Sequence, residues 1–351
     1  MNHPEAPELM EFDIPPLDES AMDRARERQD QLTKPPGSLG RLEELSVRIA
    51  GMAGDPTPSL DSPVVVTMAA DHGVVEEGVS AFPQSVTAAM VENFAHDGAG
   101  VNALARTAGA ENIIVDIGVA GDYDGNDRVI RKPIAAGTAN LANGPAMSRE
   151  EAIEAVEVGR EVVADHAPDA DVIALGDMGI GNTTASAAVT AAITGADPAD
   201  VTGRGSGIDD EGLDRKIAVI RRALADREVD PEDGVDVLRA VGGFELAGLA
   251  GIALEASSRR IPVVVDGFIT GAAALSAWAI DERVSHYLLP SHRSVEDGHD
   301  VQHDALGLEP LFDFGMRLGE GTGAAVAIGI YRGACTALRE MATFEEAGIP
   351  T

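Results

Sequence analysis

Five short apolar runs, rich in β-branched residues, each lead into glycine, aspartate, serine or histidine, and that repeated junction constrains the fold more than any other feature. The runs are Pro63–Met68, Asn112–Ile117, Asp171–Leu175, Pro262–Val265 and Ser285–Leu289. Between them lie Ala-rich stretches with helical spacing, such as Ser148–Asp165 and Leu213–Ala225. Near-continuous apolar strands alternating with helices predict an α/β protein: a mostly parallel sheet flanked by helices in three layers. The junctions read Asp71-His72-Gly73, Asp116-Ile117-Gly118, Gly176-Asp177, Asp266-Gly267 and Pro290-Ser291-His292. Ligands of open α/β sheets sit beyond the carboxyl ends of the strands, so these groups gather on one edge. An active site is expected there.

The 351 residues allow two domains, or one large domain with an appended lobe. Residues 1–31 are acidic and weakly periodic, and read as a loose arm or a peripheral helix. The prolines and glycine of Lys34-Pro35-Pro36-Gly37-Ser38 force a turn, with Ser38 placed to cap a helix over Arg41–Met52. Apolar stretches such as Ile269–Ile280 reach only about a dozen residues, below the length of a membrane span, and no signal peptide is visible. The single cysteine, Cys335, excludes an intramolecular disulfide and reads as a packing residue. A soluble, cytoplasmic protein is expected.

Against 59 acidic residues stand 26 basic ones, a net charge of −33, and only Lys34, Lys132 and Lys216 are lysines. Such a charge repels nucleic acid and anionic membranes. Scarce lysine with abundant acid fits adaptation to high intracellular salt, where screening removes the self-repulsion.

Several segments carry candidate chemistry. Gly176-Asp177-Met178-Gly179-Ile180-Gly181-Asn182-Thr183-Thr184 follows a strand and leads to a helix beginning near Ala185. Its glycines bring N–H groups close to an anion, and Thr183 and Thr184 add hydroxyls, so it reads either as a phosphate cradle or as a tight capped turn. The loop Thr202-Gly203-Arg204-Gly205-Ser206-Gly207 leads to Lys216, which is either a phosphate cation or a solvated helix-surface lysine. In Leu318-Gly319-Glu320-Gly321-Thr322-Gly323, a carboxylate stands between glycines just before a helix. Desolvation would raise the Glu320 pKa and suit it to be a base, whereas the dipole of the following helix would lower it. His299 and His303 are four apart but lack a third ligand of comparable specificity, so ordinary surface or interface histidines are expected and no metal site is assigned.

Together these segments resemble the nicotinate-nucleotide–dimethylbenzimidazole phosphoribosyltransferase family. The resemblance rests on seven ordered stretches: Leu32–Glu43, Ala69–Thr87, Gly176–Thr184, Thr202–Asp210, Val265–Leu275, Ser291–His299 and Leu318–Ala325. It implies a homodimer whose catalytic domain spans residues 32–345. A large α/β part covers about 60–300, and a smaller helical lobe comes from about 32–59 and 301–345. It implies transfer of phosphoribose from nicotinate mononucleotide to 5,6-dimethylbenzimidazole, in cobalamin biosynthesis. The products are nicotinate and α-ribazole 5′-phosphate, formed with anomeric inversion and without a cofactor. By the same resemblance Glu320 is the catalytic base. The acceptor pocket falls on Ser80, Gln84 and Leu318. The phosphate and ribose fall on Gly176, Gly179, Gly181, Asn182, Thr183, Gly203, Gly205, Lys216 and Ser291. Where the family has glutamate this chain has Asp177, whose carboxylate is drawn back by one methylene, about 1.5 Å.

The chemistry of the residues fits that implication. An acceptor nitrogen must lose a proton as it attacks the anomeric carbon, which calls for a carboxylate, and a second carboxylate can stabilise oxocarbenium character. Two alternatives remain open: transfer to another base such as adenine or a phenol, and a non-catalytic nucleotide-binding relative.

Overall fold

The computed structural model describes residues 9–350 except 125 and 226–228. Six strands form one wholly parallel sheet: β1 Pro63–Ala70, β2 Glu111–Gly118, β3 Val129–Arg131, β4 Val172–Met178, β5 Val263–Val265 and β6 Leu288–Pro290. Their order across the sheet is β3-β2-β1-β4-β5-β6. Consecutive strands run outward from β1 in one direction, then restart at β4 in the other. The chain therefore reverses between β1 and β4, and the loops leaving those two strands part to open a crevice at their carboxyl ends.

Every residue of β1 is buried, as a strand covered on both faces requires. On one face lies the helix Phe244–Ser258, almost wholly apolar and buried all round, wedged between the sheet and the helix Arg149–His166. Gly159 and Gly251 allow that helix pair to meet closely: a Cβ on either would lie 2.0 Å from a carbonyl of the facing helix.

Two local expectations are corrected, and one strand is added. The run Ser285–Leu289 does not form a strand throughout, because Glu282–His286 is a 3₁₀ turn and pairing begins only at Leu288. The first helix after the proline turn, Arg41–Ala53, is preceded by Gly40 rather than capped by Ser38. Glu43 instead accepts from the Leu39 N–H (3.0 Å) and from Lys34 Nζ (2.8 Å). The edge strand β3 carries no apolar run and was not expected from the sequence; it forms by pairing along Ile114–Asp116.

Part of the acidic N-terminal segment, residues 1–8, lies outside the described residues. Beyond it, Phe12 and Ile14 are buried in the main core, and Phe12 lies under the Arg160 guanidinium. The helix Glu19–Gln31 then packs on Arg41–Ala53, and Arg28 donates to the carbonyls of Leu338, Arg339 and Met341. Residues 12–31 are thus tied to the body by apolar burial and by carbonyl bonds, not loose. Among the described residues no helix is long and apolar enough to cross a membrane.

Candidate active site

A cavity of about 320 Å³ opens at the β1–β4 reversal. Its floor is the end of β4 and the segment that follows it, with Asp177, Gly179, Gly181, Asn182 and Thr183. Phe82, Val86, Met90 and Leu318 supply an apolar wall, and Phe82 and Leu318 stand exposed at its mouth. Gly205 and Ser206 close one side, Phe268 and His292 another, and Glu320 projects into it.

Glu320 is held by strain and by distant chain. Gly319, Glu320 and Gly321 have consecutive left-handed backbones, with φ of 78°, 64° and 94°. A non-glycine residue pays about 1–2 kcal/mol to adopt that conformation, and such residues cluster at functional sites. The Glu320 carbonyl accepts from Thr67 Oγ1 at 3.2 Å in the middle of β1. Its Oε2 accepts from the Val101 N–H at 3.1 Å, at the start of the helix Gly100–Ala108. The helix whose N–H groups it meets is therefore not the one that follows it in sequence. Burial raises the Glu320 pKa and outweighs the lowering by the Val101 and Gly100 N–H groups.

The helix Thr322–Glu340 is served by another carboxylate. Asp266, fully buried after β5, accepts from the Gly321 N–H (3.2 Å) and the Ala324 N–H (2.8 Å). Burial pushes its pKa up to about 7 despite those bonds, and the Glu320 charge adds to the rise. Asp177, 6% exposed, accepts from Asn182 Nδ2 at 2.9 Å. Its pKa lies well above the usual carboxylate range, first through burial and then through the charges of Asp266 and Glu245, with Glu320 adding to them. Three carboxylates, one at the end of β4 and two on separate loops, thus share one desolvated corner.

The phosphate-loop residues divide. Thr183 lines the cavity, whereas Thr184 is buried in the core. The helix here starts at Asn182, three residues before its expected beginning, so both threonines are helical. Gly176 faces away from the cavity: a Cβ there would lie 2.3 Å from the Glu320 carbonyl oxygen, so this glycine admits the loop that carries Glu320. Gly179 lines the cavity and is backed by the Ala70 carbonyl, 2.3 Å from where a Cβ would stand. Lys216 is 1% exposed, which removes the reading as a solvated surface lysine. Its Nζ donates to Thr183 Oγ1 (2.9 Å) and to the Gly203 carbonyl (3.1 Å), tying the two glycine loops together. Burial lowers its pKa to about 8.

Ser80 lines the cavity, and its Oγ lies 3.3 Å from Ser206 Oγ. Gln84, half-buried where the helix Ser85–Ala95 begins, does not line it. Ser291 is wholly buried, and its hydroxyl donates to the Asp266 carbonyl at 2.6 Å. His299 and His303 are buried rather than on the surface, with ring centroids 4.1 Å apart, because the helix Gly298–Leu306 packs inward against the sheet-flanking helices. Among the described residues, no group of three or more His, Cys, Asp or Glu side chains is arranged to hold a metal ion.

Sequence reasoning missed the bracing behind the floor. Thr87 Oγ1 donates to Asp71 (2.7 Å) and accepts from the Ile180 N–H (3.1 Å), fixing the glycine turn. His72 Nε2 lies 2.7 Å from Glu245 Oε1, both fully buried. The one available signal was the strand-end position of Asp71 and His72.

A sequence profile described as phosphoribosyltransferase matches residues 14–349. That range includes the helix Glu19–Gln31, so most of the acidic segment has a counterpart in the family. A nicotinate-nucleotide–dimethylbenzimidazole phosphoribosyltransferase of Roseiflexus sp. (strain RS-1) is 57% identical over 338 residues, 96% of each chain. The protein of that name from Chloroflexus aggregans is 56% identical with the same coverage. The solved structure of the protein of that name from Thermus thermophilus superposes with a TM-score of 0.90 at 46% identity. It covers 95% of this chain and 100% of that one. With this identity along nearly its whole length, and a strained glutamate over a glycine-lined cavity, the chain belongs to the nicotinate-nucleotide–dimethylbenzimidazole phosphoribosyltransferase family.

Proposed function

We propose that the chain transfers phosphoribose from nicotinate mononucleotide to 5,6-dimethylbenzimidazole, giving α-ribazole 5′-phosphate and nicotinate for cobalamin biosynthesis. The observation that carries this reading is Glu320, a buried carboxylate with a raised pKa at the junction of the apolar wall and the glycine loops. The flat acceptor stacks between Phe82, Met90 and Leu318. The donor's phosphate meets the loops bound together by Lys216 and Thr183.

One acceptor nitrogen attacks C1′ from the α face while Glu320 takes the proton from the acceptor's N–H. The C1′–N bond to nicotinate breaks, and its electron pair neutralises the pyridinium, so nicotinate leaves as a neutral ring bearing its own carboxylate. Positive charge growing at C1′ faces the Asp177, Asp266 and Glu320 cluster, whose ionised members attract it more strongly in the transition state than in the ground state. Asp177 acts in this as a member of the cluster rather than as a second base. Fixing the donor by its phosphate converts the encounter into a near-unimolecular step.

We further propose a cytoplasmic homodimer adapted to high salt that does not bind nucleic acid; the −33 net charge supports the last two points. Incubation with both substrates at high and low salt, following α-ribazole 5′-phosphate by chromatography, tests the reading. Product, formed faster at high salt, is expected. Folded protein that makes none, yet makes the adenine or phenol product, would redirect the acceptor assignment.

A further inference from the structure

Glu296 has no part in the reaction as derived, yet it lines the cavity on the side of the glycine loops. A Cβ on Gly203 would lie 2.0 Å from its Oε2, so the carboxylate occupies space that a side chain at 203 would fill. The Gly205 N–H bears on the same carboxylate, as does the Lys216 charge. Oε2 itself is buried without a hydrogen-bond partner. The Lys216 ammonium bonds two neutral oxygens, and the charge that supports it against burial is that of Glu296. A backbone N–H, a buried ammonium and a glycine approached at contact distance are the elements of an oxyanion seat, and here a side-chain carboxylate sits in it.

We propose that Glu296 is a specificity-determining residue that holds the donor's phosphate seat before the nucleotide binds, and that the phosphate must displace it. This rests on the phosphate being taken by the Lys216 side of the cavity. A carboxylate left beside a dianion would repel it, so Glu296 has to move. The partnerless Oε2 makes that displacement easier than the loss of a fully bonded carboxylate would be. The consequence is affinity tuning: the seat stays charge-balanced when empty of substrate, and only a ligand with more negative charge than one carboxylate takes it over. A nucleoside lacking the phosphate leaves Glu296 where it is.

The test is calorimetric titration of the full chain with nicotinate mononucleotide and, separately, nicotinate riboside, comparing wild type with Glu296→Gln. The variant is expected to bind the nucleotide more tightly, by about tenfold for removal of one like charge from a partly desolvated site, and the riboside unchanged. Glu296→Ala, which empties the seat, shifts nucleotide affinity in the same direction. Weaker binding of nucleotide and riboside alike would overturn the proposal and make Glu296 a ribose ligand. Unchanged binding of both would also overturn it. Lys216→Met separates the premise from the inference. Loss of the wild-type preference for nucleotide over riboside puts the phosphate on this side. If that preference persists, the phosphate lies elsewhere and the proposal falls with its premise, while the transferase reading stands.

Discussion

Replacing Gly176 by alanine tests how Glu320, the proposed base, is placed without touching any side chain of the cavity. The new methyl group would stand 2.3 Å from the Glu320 carbonyl oxygen, 2.8 Å from its carbonyl carbon and 3.0 Å from Thr67 Oγ1. Two of the three are backbone atoms, so no rotamer change relieves them. Reaching ordinary contact requires the Glu320 peptide to retreat by about 1 Å. Overpacking of this kind costs about 1–3 kcal/mol. In a chain of this size each kcal/mol lowers Tm by about 2–4 °C or less. The larger effect falls on the rate, because a base displaced by about 1 Å from its proton can lose about 100-fold. Gly176→Ala is therefore expected to lower kcat by about 10- to 100-fold, with nicotinate mononucleotide affinity nearly kept, since the phosphate side of the cavity is untouched. Gly144→Ala, where a Cβ meets nothing within 4 Å, is the control. Steady-state kinetics, calorimetric titration and thermal unfolding on the same preparations decide it. A Gly176→Ala enzyme with wild-type kcat would refute the claim that this glycine exists to seat Glu320.

Three other outcomes follow from the same geometry. Glu320→Gln should cut kcat by about 10²–10⁴-fold while nucleotide binding persists. Because burial raises the Glu320 pKa and the base acts only when ionised, wild-type kcat should fall with acid at a pH above the ordinary carboxylate value of 4.5, and this limb should vanish in the variant. Asp177→Asn should raise Tm more at pH 8 than at pH 5. A carboxyl whose folded pKa is raised stabilises the protein below its unfolded value and loses that contribution as pH rises through the folded one, whereas asparagine has no charge to bury. Equal gains at both pH values would show that Asp177 carries no ionisation cost. Cys335, buried, with its thiol pushed up to about 12, should resist thiol reagents at pH 8 until the chain unfolds, and rapid labelling of native protein would contradict its burial.

The architecture and the edge that carries the cavity are legible in the amino-acid order. Buried parallel strands must be apolar along their whole length, and the strand ends that line or brace a cavity are small and polar; both patterns are local and readable at Pro63–Met68 and at Asp71, Asp177, Asp266 and Ser291. The amino-acid order also marked Glu320, because a carboxylate between two glycines in left-handed backbone leaves a sequence signature. What it left open were charges and partners. Whether Glu320 is raised or lowered depended on which helix its side chain reached, and that helix, Gly100–Ala108, lies more than two hundred residues away in sequence. Lys216 read equally as a surface residue, since its burial depends on how the two glycine loops close over it, one of them at Thr183 on a different helix. Nor does the neighbourhood of Glu296 show that it lies against Gly203. The tertiary structure alone decided these, because desolvation and Coulomb interaction depend on distance in space, and only the folded sheet converts five separate strand ends into one low-dielectric corner.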